Sequence, residues 1–260
     1  MNAPTPQRQT LELYAGIGVV LLVATIVGRV LEVAVARGER HDVIDNLNAR
    51  IRSWWVIVAV TGCAFLLGRA GVTLLFALLC ALGLREFVTV TSARVHPSWA
   101  VAAGLVLVAC IAHAPALLVL DVAGYEGRTV MLIVFLVVVA QSCDVLQYLW
   151  GKLAGRRQLA PSVSPSKTWE GAIGGVASAT LLGMALWWIT PFAPWQAGAM
   201  ALAITVMGCA GGIALSAVKR ACGAKDWGDS IDGHGGVLDR LDSIAFAAPV
   251  FFHLTRLGWT

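Results

Sequence analysis

Residues 130–150 read VMLIVFLVVVAQSCDVLQYLW. The first half of this stretch is continuously apolar, and a helix of about 20 such residues spans the roughly 30 Å hydrocarbon core of a bilayer. The second half introduces Gln141, Asp144 and Tyr148, whose spacing puts them on one helical face. A carboxylate inside a membrane span is costly against lipid, so we expect this face to point into the protein. The stretch therefore predicts a transmembrane helix with a polar end.

The composition of the whole chain agrees with this prediction. Of its 260 residues, 58% are hydrophobic and 13% are charged, whereas about 25% of an ordinary soluble domain is charged. Disordered chains, disulfide scaffolds and most soluble folds are excluded. The apolar runs are continuous rather than alternating, which disfavours an outer-membrane barrel. We expect an all-α fold, a polytopic transmembrane helix bundle.

The apolar runs divide the chain into about eight spans, with room for a ninth. The predicted spans are 13–34, 54–68, 71–91, 98–120, 129–150, 171–190, 196–217 and 241–257. No internal repeat interrupts this pattern. We therefore predict one integral-membrane domain over residues 1–260, with N-terminal spans in 13–150 and a catalytic half in 151–260.

The basic residues predict the orientation of the bundle, because positive charge stays on the cytoplasmic side. The loops after the first, third, fifth and seventh spans share one side and hold thirteen basic residues, and the opposite side holds four. The thirteen are Arg37, Arg40, Arg50, Arg52, Arg94, Lys152, Arg156, Arg157, Lys167, Lys219, Arg220, Lys225 and Arg240. The basic loops are thus predicted to be cytoplasmic and both termini periplasmic, as in a multi-pass protein of a bacterial-type inner membrane.

Net charge and cysteines carry little functional information. The formal charge of +4 is explained by topology, and no nucleic-acid partner is expected. The six cysteines are scattered without a CxxC motif and are interpreted as small buried apolar residues rather than a metal or disulfide framework. They are Cys63, Cys80, Cys110, Cys143, Cys209 and Cys222.

Polar residues concentrate in residues 216–243, SAVKRACGAKDWGDSIDGHGGVLDRLDS. The glycines around His234 allow the backbone to approach a ligand closely, and free N–H groups in such a turn bind anions. Asp239 and Asp242 are separated by three positions and share a helical face. Carboxylates that converge with Lys and Arg suit Mg²⁺ holding a polyphosphate. A solvated loop with paired charges is the alternative interpretation.

A second polar stretch, residues 164–171, reads SPSKTWEG and precedes the sixth span. Lys167 and Thr168 lie near the predicted N-terminus of that helix, where free N–H groups and the helix dipole attract phosphate. A plain helix cap is the alternative. At the edge of the third span, Arg85 and Glu86 either line the site or extend toward the membrane surface.

Residues 216–243 resemble the signature of the phosphatidate cytidylyltransferases, also called CDP-diacylglycerol synthases. That signature reads S-x-apolar-K-R, four residues, K-D, then H-G-G-apolar-x-D-R-apolar-D. The matching residues are Ser216, Val218, Lys219, Arg220, Lys225, Asp226, Gly228, Ile231, Gly233, His234, Gly235, Gly236, Val237, Asp239, Arg240, Leu241 and Asp242. The stretch at 164–171 resembles a second feature of the family.

The resemblance implies that CTP and phosphatidic acid are converted to CDP-diacylglycerol and pyrophosphate at the cytoplasmic membrane face. It implies Mg²⁺ as the cofactor, and a second cation is an open alternative. It also implies a membrane lipid as a partner, and it leaves open whether the protein forms a homodimer. The implied catalytic residues are Lys219, Asp226, His234, Asp239 and Arg240. The implied substrate-binding residues are Lys167, Thr168, Ser216, Arg220, Lys225, Gly235 and Gly236. The implied metal ligands are Asp144, Asp239 and Asp242.

Three positions depart from the family pattern. Gly211-Gly212 replaces a Gly-Asp pair, so one expected metal carboxylate is missing, and Asp232 replaces a proline. The element around Asp144 reads Cys143-Asp144 where the family has Asn-Asp. Asp232 is a candidate to replace the missing carboxylate.

Two other classes of function remain open at this point. Another CTP-dependent lipid transferase, such as a polyprenol or phytol kinase or a cytidylyltransferase for a different lipid phosphate, uses the same residue types. A transporter also carries charges within its spans. Transporter sites lie near the bilayer midplane, often between repeats, whereas the charges here gather at one surface.

Overall fold

The computed structural model describes residues 6–36, 42–230 and 235–260. Eight long α-helices dominate the described part of the chain. They are α1 (Pro6–Leu31), α2 (Asp42–Leu66), α3 (Gly68–Thr91), α4 (Pro97–Ala116), α5 (Val130–Ala154), α6 (Trp169–Ala185), α7 (Pro194–Ala221) and α8 (Leu238–Trp259). Each helix overlaps one of the predicted spans, although α2 begins at Asp42 and the predicted second span at residue 54. The all-α polytopic fold is therefore confirmed.

Five described segments are long and apolar enough to cross a membrane. They are Ala15–Ala34, Gly68–Thr91, Pro97–Val119, Val130–Ala154 and Pro194–Ala221. Helix α2 adds a shorter apolar segment, Ile51–Leu66. Helix α6 is only 17 residues long, and α8 carries charged residues in its first turns; both remain spans by prediction.

A small hairpin interrupts the helices before α6. Strand β1 (Gln158–Ala160) pairs antiparallel with β2 (Ser164–Thr168), with Gln158 opposite Thr168. Thr168 then caps α6, because its side-chain oxygen accepts the backbone N–H of Gly171 at 3.1 Å. The hairpin thus ends directly on the N-terminus of α6, which fixes the position of the 164–171 stretch.

Small residues let the C-terminal helices approach each other closely. A Cβ atom added at Gly175 of α6 would lie 2.4 Å from Gln147 Cγ on α5. A Cβ atom added at Gly211 of α7 would lie 2.8 Å from the carbonyl oxygen of Asp242 on α8. The core between these helices is apolar, and Phe135 is fully buried in it. Helices α5 to α8 therefore form one tightly packed unit.

Contacts between loops agree with the predicted alternation of the helices. At one end, Arg220 Nε in the last turn of α7 donates to the carbonyl of Val163, before α6, at 3.1 Å. At the other end, the Tyr125 hydroxyl donates to the carbonyl of Ile189, which joins the α4–α5 and α6–α7 connections. The predicted basic loops after α5 and α7 are therefore neighbours. Burial raises the pKa of the Tyr125 phenol, which stays a hydrogen-bond donor.

Candidate active site

Two carboxylates from different helices meet at the end of the bundle that carries the hairpin. Asp144 lies on α5 and Asp242 on the first turns of α8, and both are half-buried. Each interacts electrostatically with the other and with the Lys167 ammonium group. We call Asp144, Asp242 and Lys167 together the carboxylate cluster.

The glycines of α7 bring the carboxylate cluster together. Gly208 and Gly211 pack against the backbone of α8 around Asp242 and Ser243. A Cβ atom added at Gly212 would lie 3.0 Å from Lys167 Nζ and 3.8 Å from Asp242 Oδ2. Gly212 thus opens the space in which Lys167 and Asp242 face each other. The position where the resemblance led us to expect a further carboxylate instead borders an ammonium group.

The hairpin positions Lys167 through contacts at the start of α6. Glu170 Oε2 accepts the backbone N–H groups of Arg156 and Arg157 at 3.0 and 3.2 Å. Hydrogen bonds from the backbone N–H groups of Arg156, Glu170 and Arg157 hold the pKa of Glu170 below its usual value. The loop after α5 is thereby fastened to α6, one turn from Lys167. Thr168 acts here as a helix cap, whereas the resemblance implied that it binds substrate.

A buried ion pair lies beside the carboxylate cluster. Lys219 Nζ contacts Asp239 Oδ1 at 2.5 Å, and the two side chains are only 8% and 6% exposed. Asp239 Oδ2 accepts the backbone N–H groups of Trp227 at 2.8 Å and Gly236 at 2.9 Å. The Trp227 ring stacks on Phe87 of α3, with 5.1 Å between ring centroids. Both oxygens of Asp239 are thus engaged by protein groups.

This pairing differs from the expectation that Asp239 binds a metal together with Asp144 and Asp242. The physical reason is the burial of Lys219, whose charge requires a close counter-ion. Within the described ranges, no three His, Cys, Asp or Glu side chains form a group that could hold a metal ion. The Asp144–Asp242 pair still fits Mg²⁺, which commonly binds one or two protein carboxylates and completes its shell with water and substrate phosphates.

The other expected site residues lie around these two groups. Arg240 interacts electrostatically with Asp144, and its carbonyl accepts the Gln141 side-chain amide at 3.2 Å. Ser216 is half-buried on α7, while Lys225 and Asp226 are exposed in the loop that follows. Arg220 donates to two loop carbonyls, those of Val163 and Ala224.

The glycine turn before α8 is described from Gly235 onward. Gly235 has a φ of +81°, a conformation that side-chain-bearing residues rarely adopt. Its added Cβ atom would lie 2.9 Å from Asp239 Oδ2, so the turn packs directly on the ion pair. The expected catalytic residue His234 and the candidate replacement carboxylate Asp232 lie outside the described residues.

The sequence alone does not single out Glu86, yet this residue makes three hydrogen bonds at this end of the bundle. It lies on α3 and is 8% exposed. It accepts hydrogen bonds from Ser230 and Val237 on the loop before α8 and from Leu238, the first residue of α8. Its neighbour Arg85 is exposed. The available signal was a lone carboxylate near the end of an apolar span, which is costly unless it is paired.

An apolar groove runs between α6 and α7 close to the carboxylate cluster. Its volume is about 710 Å³. Among its lining residues are Leu159 of the hairpin, Ala177 of α6 and Ala210 of α7. Cys209 lines it as well and interacts electrostatically with Lys167 and Asp144. Through Cys209, the groove therefore borders the carboxylate cluster.

An apolar helix bundle with buried charges gathered at one end defines an integral membrane protein with a polar site at its surface. Comparison with known proteins identifies its class further. A model of the cytidylyltransferase family matches residues 95–257. The chain belongs to the cytidylyltransferase family, which confirms the resemblance inferred from residues 164–171 and 216–243 and makes the protein a nucleotidyltransferase.

Three relatives cover between 45% and 91% of the chain. Uncharacterized protein YnbB of Escherichia coli K12 is 32% identical over 91% of this chain and 95% of its own length. The phosphatidate cytidylyltransferase of Brucella abortus biovar 1 is 36% identical over 76% of this chain and 71% of its own length. The phosphatidate cytidylyltransferase of Synechocystis is 38% identical over 45% of this chain and 40% of its own length.

Proposed function

We propose that this protein transfers the cytidylyl group of CTP to phosphatidic acid, which yields CDP-diacylglycerol and pyrophosphate. The observation that carries the proposal is the carboxylate cluster of Asp144, Asp242 and Lys167 at one end of an apolar bundle. The relatives named phosphatidate cytidylyltransferase support the choice of lipid acceptor. Positive-inside topology supports a cytoplasmic location of this end, where CTP is available.

The proposed reaction brings two anions together. An oxygen of the lipid phosphate attacks the α-phosphorus of CTP, the bond from that phosphorus to the bridging oxygen of the β-phosphate breaks, and pyrophosphate leaves. No side chain has to act as nucleophile. The protein then contributes alignment of the two phosphates and stabilisation of their charge. Lys167 and Arg240, which both face Asp144, supply fixed positive charge for that purpose.

Asp144 and Asp242 are the residues proposed to hold Mg²⁺. When bound, the cation draws electron density from the reacting phosphate and stabilises the departing pyrophosphate. The two carboxylates repel each other, and the positive charges of Lys167, Lys219 and Arg240 oppose that repulsion. The Lys219–Asp239 pair is proposed to form the wall of the substrate pocket next to Asp242. All the residues named in this proposal come from one chain, and a homodimer stays a prediction.

The apolar groove between α6 and α7 is the proposed location of one acyl chain. A phosphatidic acid molecule has a charged head and apolar tails, and the groove lies beside the carboxylate cluster. An acyl chain bound in the groove would place the phosphate of the same lipid molecule next to Lys167. The remainder of the lipid stays in the bilayer, so the substrate enters without crossing the membrane.

Filling this groove should weaken the binding of long-chain lipid. We expect Ala210→Phe to raise KM for dioleoyl phosphatidic acid by about tenfold, the effect of about two methylene groups left unburied. KM for CTP and activity with dihexanoyl phosphatidic acid should change little. Ala199→Phe is the control, because Ala199 is exposed on the same helix but does not line the groove. Equal KM values for Ala210→Phe and Ala199→Phe would contradict the assignment.

The reaction itself is tested with purified protein, Mg²⁺, CTP and phosphatidic acid. We expect release of pyrophosphate and formation of a lipid whose mass equals that of CDP-diacylglycerol. A lipid kinase would instead release CDP. Release of CDP, or no CTP turnover with any of several lipid phosphates, would contradict the proposal.

A further inference from the structure

Glu86 connects the N-terminal helices with the loop that leads into α8. Its Oε1 accepts the Ser230 hydroxyl at 2.7 Å and the Val237 backbone N–H at 3.0 Å. Its Oε2 accepts the Leu238 backbone N–H at 2.9 Å. The first N–H groups of a helix have no partner within the helix and carry partial positive charge. A buried carboxylate from α3 therefore supplies the acceptors that the start of α8 lacks.

The loop is also packed around this carboxylate. An added Cβ atom at Gly236 would lie 2.5 Å from Glu86 Oε2, and one at Gly228 would lie 2.9 Å from Oε1. A side chain at either position would displace the Glu86 carboxylate from its present place. The two glycines of the motif thus serve the approach of a protein carboxylate, in addition to any ligand that binds nearby.

The same backbone segment holds the buried ion pair. Gly236 N–H donates to Asp239 Oδ2, and the next two backbone N–H groups, of Val237 and Leu238, donate to Glu86. Asp239 in turn contacts Lys219. Displacement of the segment from Glu86 would therefore shift the donors that orient Asp239.

We propose that Glu86 is a positioning residue of the transfer reaction, which anchors the start of α8 so that Asp239 pairs with Lys219 and Asp242 lies beside Lys167 and Asp144. It acts through the loop backbone and does not contact the reacting atoms. The residue lies outside the stretch 95–257 that matches the family. The inference rests on the proposed function for its catalytic readout, but the anchoring itself can be measured without substrate.

The test compares Glu86→Gln with Arg85→Gln in the full-length protein. In Glu86→Gln, the new amide group faces a backbone N–H donor, so at least one hydrogen bond to a charged acceptor is lost. We expect kcat/KM for CTP to fall about ten- to hundredfold. Amide hydrogen exchange of Val237 and Leu238 should accelerate, while that of α5 stays unchanged. Arg85→Gln, which alters an exposed neighbour, should affect neither quantity.

A second variant keeps the inference testable if Glu86→Gln folds poorly. Ser230→Ala removes one donor to Glu86 and leaves both backbone hydrogen bonds, so we expect a smaller loss of kcat/KM, of about tenfold or less. Unchanged exchange at Val237 and Leu238 in Glu86→Gln would overturn the inference, and so would equal acceleration in all helices. If the unaltered protein lacks transfer activity, the proposed function fails, while the exchange data still decide whether Glu86 anchors the loop.

Discussion

Asp242→Asn is expected to lower kcat for pyrophosphate release by a factor on the order of a thousand, with little change in thermal stability. The substitution removes one of the two negative charges proposed to hold Mg²⁺. It removes the repulsion between Asp242 and Asp144 together with the attraction of Asp242 to Lys167 and Lys219, so the two effects on the stability of the folded state oppose each other. Asp144→Asn should behave in the same way. Activity as a function of Mg²⁺ concentration and the unfolding temperature in detergent are the two measurements.

A matched control is available at the opposite end of the bundle. Asp121 is exposed in the connection between α4 and α5, so Asp121→Asn changes the net charge equally and should leave kcat unaltered. Retention of near-normal kcat by both Asp144→Asn and Asp242→Asn would contradict the role of the carboxylate cluster.

Asp239→Asn is expected to differ from Asp242→Asn in its effect on stability, because it should cause a large loss of stability as well as a loss of activity. The change leaves the Lys219 ammonium group, 8% exposed, without its counter-ion. Breaking a buried ion pair by removing one partner costs about 3–5 kcal/mol. The unfolding temperature should fall accordingly, and the loop around Trp227 and Gly236 should lose protection from hydrogen exchange.

The double variant Asp239→Asn/Lys219→Met separates the two effects. It removes the uncompensated buried charge, so stability should recover relative to Asp239→Asn alone. Activity should stay low, because the pocket wall has lost its fixed charges. An unfolding temperature of Asp239→Asn equal to that of the unaltered protein would show that the ion pair does not support this fold.

The helices were predictable because the bilayer imposes a simple rule on the sequence. An apolar run of sufficient length, such as residues 130–150, has few alternatives to a spanning helix. The distribution of basic residues over the loops predicts that the 164–171 and 216–243 stretches lie at the same end of the bundle. The hydrogen bond between Arg220 and Val163 agrees with this prediction. Asp144 is a candidate because a carboxylate within a span is costly, and Asp239 and Asp242 are candidates because of their spacing on one helical face and the resemblance to the family.

The pairing of the charges was not predictable from sequence. Asp239 and Asp242 share a helical face by spacing, but the structure pairs Asp239 with Lys219 and places Asp242 beside Lys167 and Asp144. Which cation each carboxylate contacts depends on the distance between α7 and α8. The glycines of α7 allow the close approach of the two helices, and this distance cannot be read from spacing along the chain. Glu86 was underestimated for a related reason, because its donors lie on a loop far away in sequence.

The fate of labelled CTP tests the central claim most directly. Purified protein is incubated with Mg²⁺, phosphatidic acid and CTP labelled at either the α- or the γ-phosphorus, and the lipid and aqueous products are separated. Cytidylyl transfer predicts that the α-label enters the lipid and the γ-label appears in pyrophosphate. Transfer of the γ-label to lipid would identify a kinase, and this result, or the absence of label in any lipid, would contradict the account.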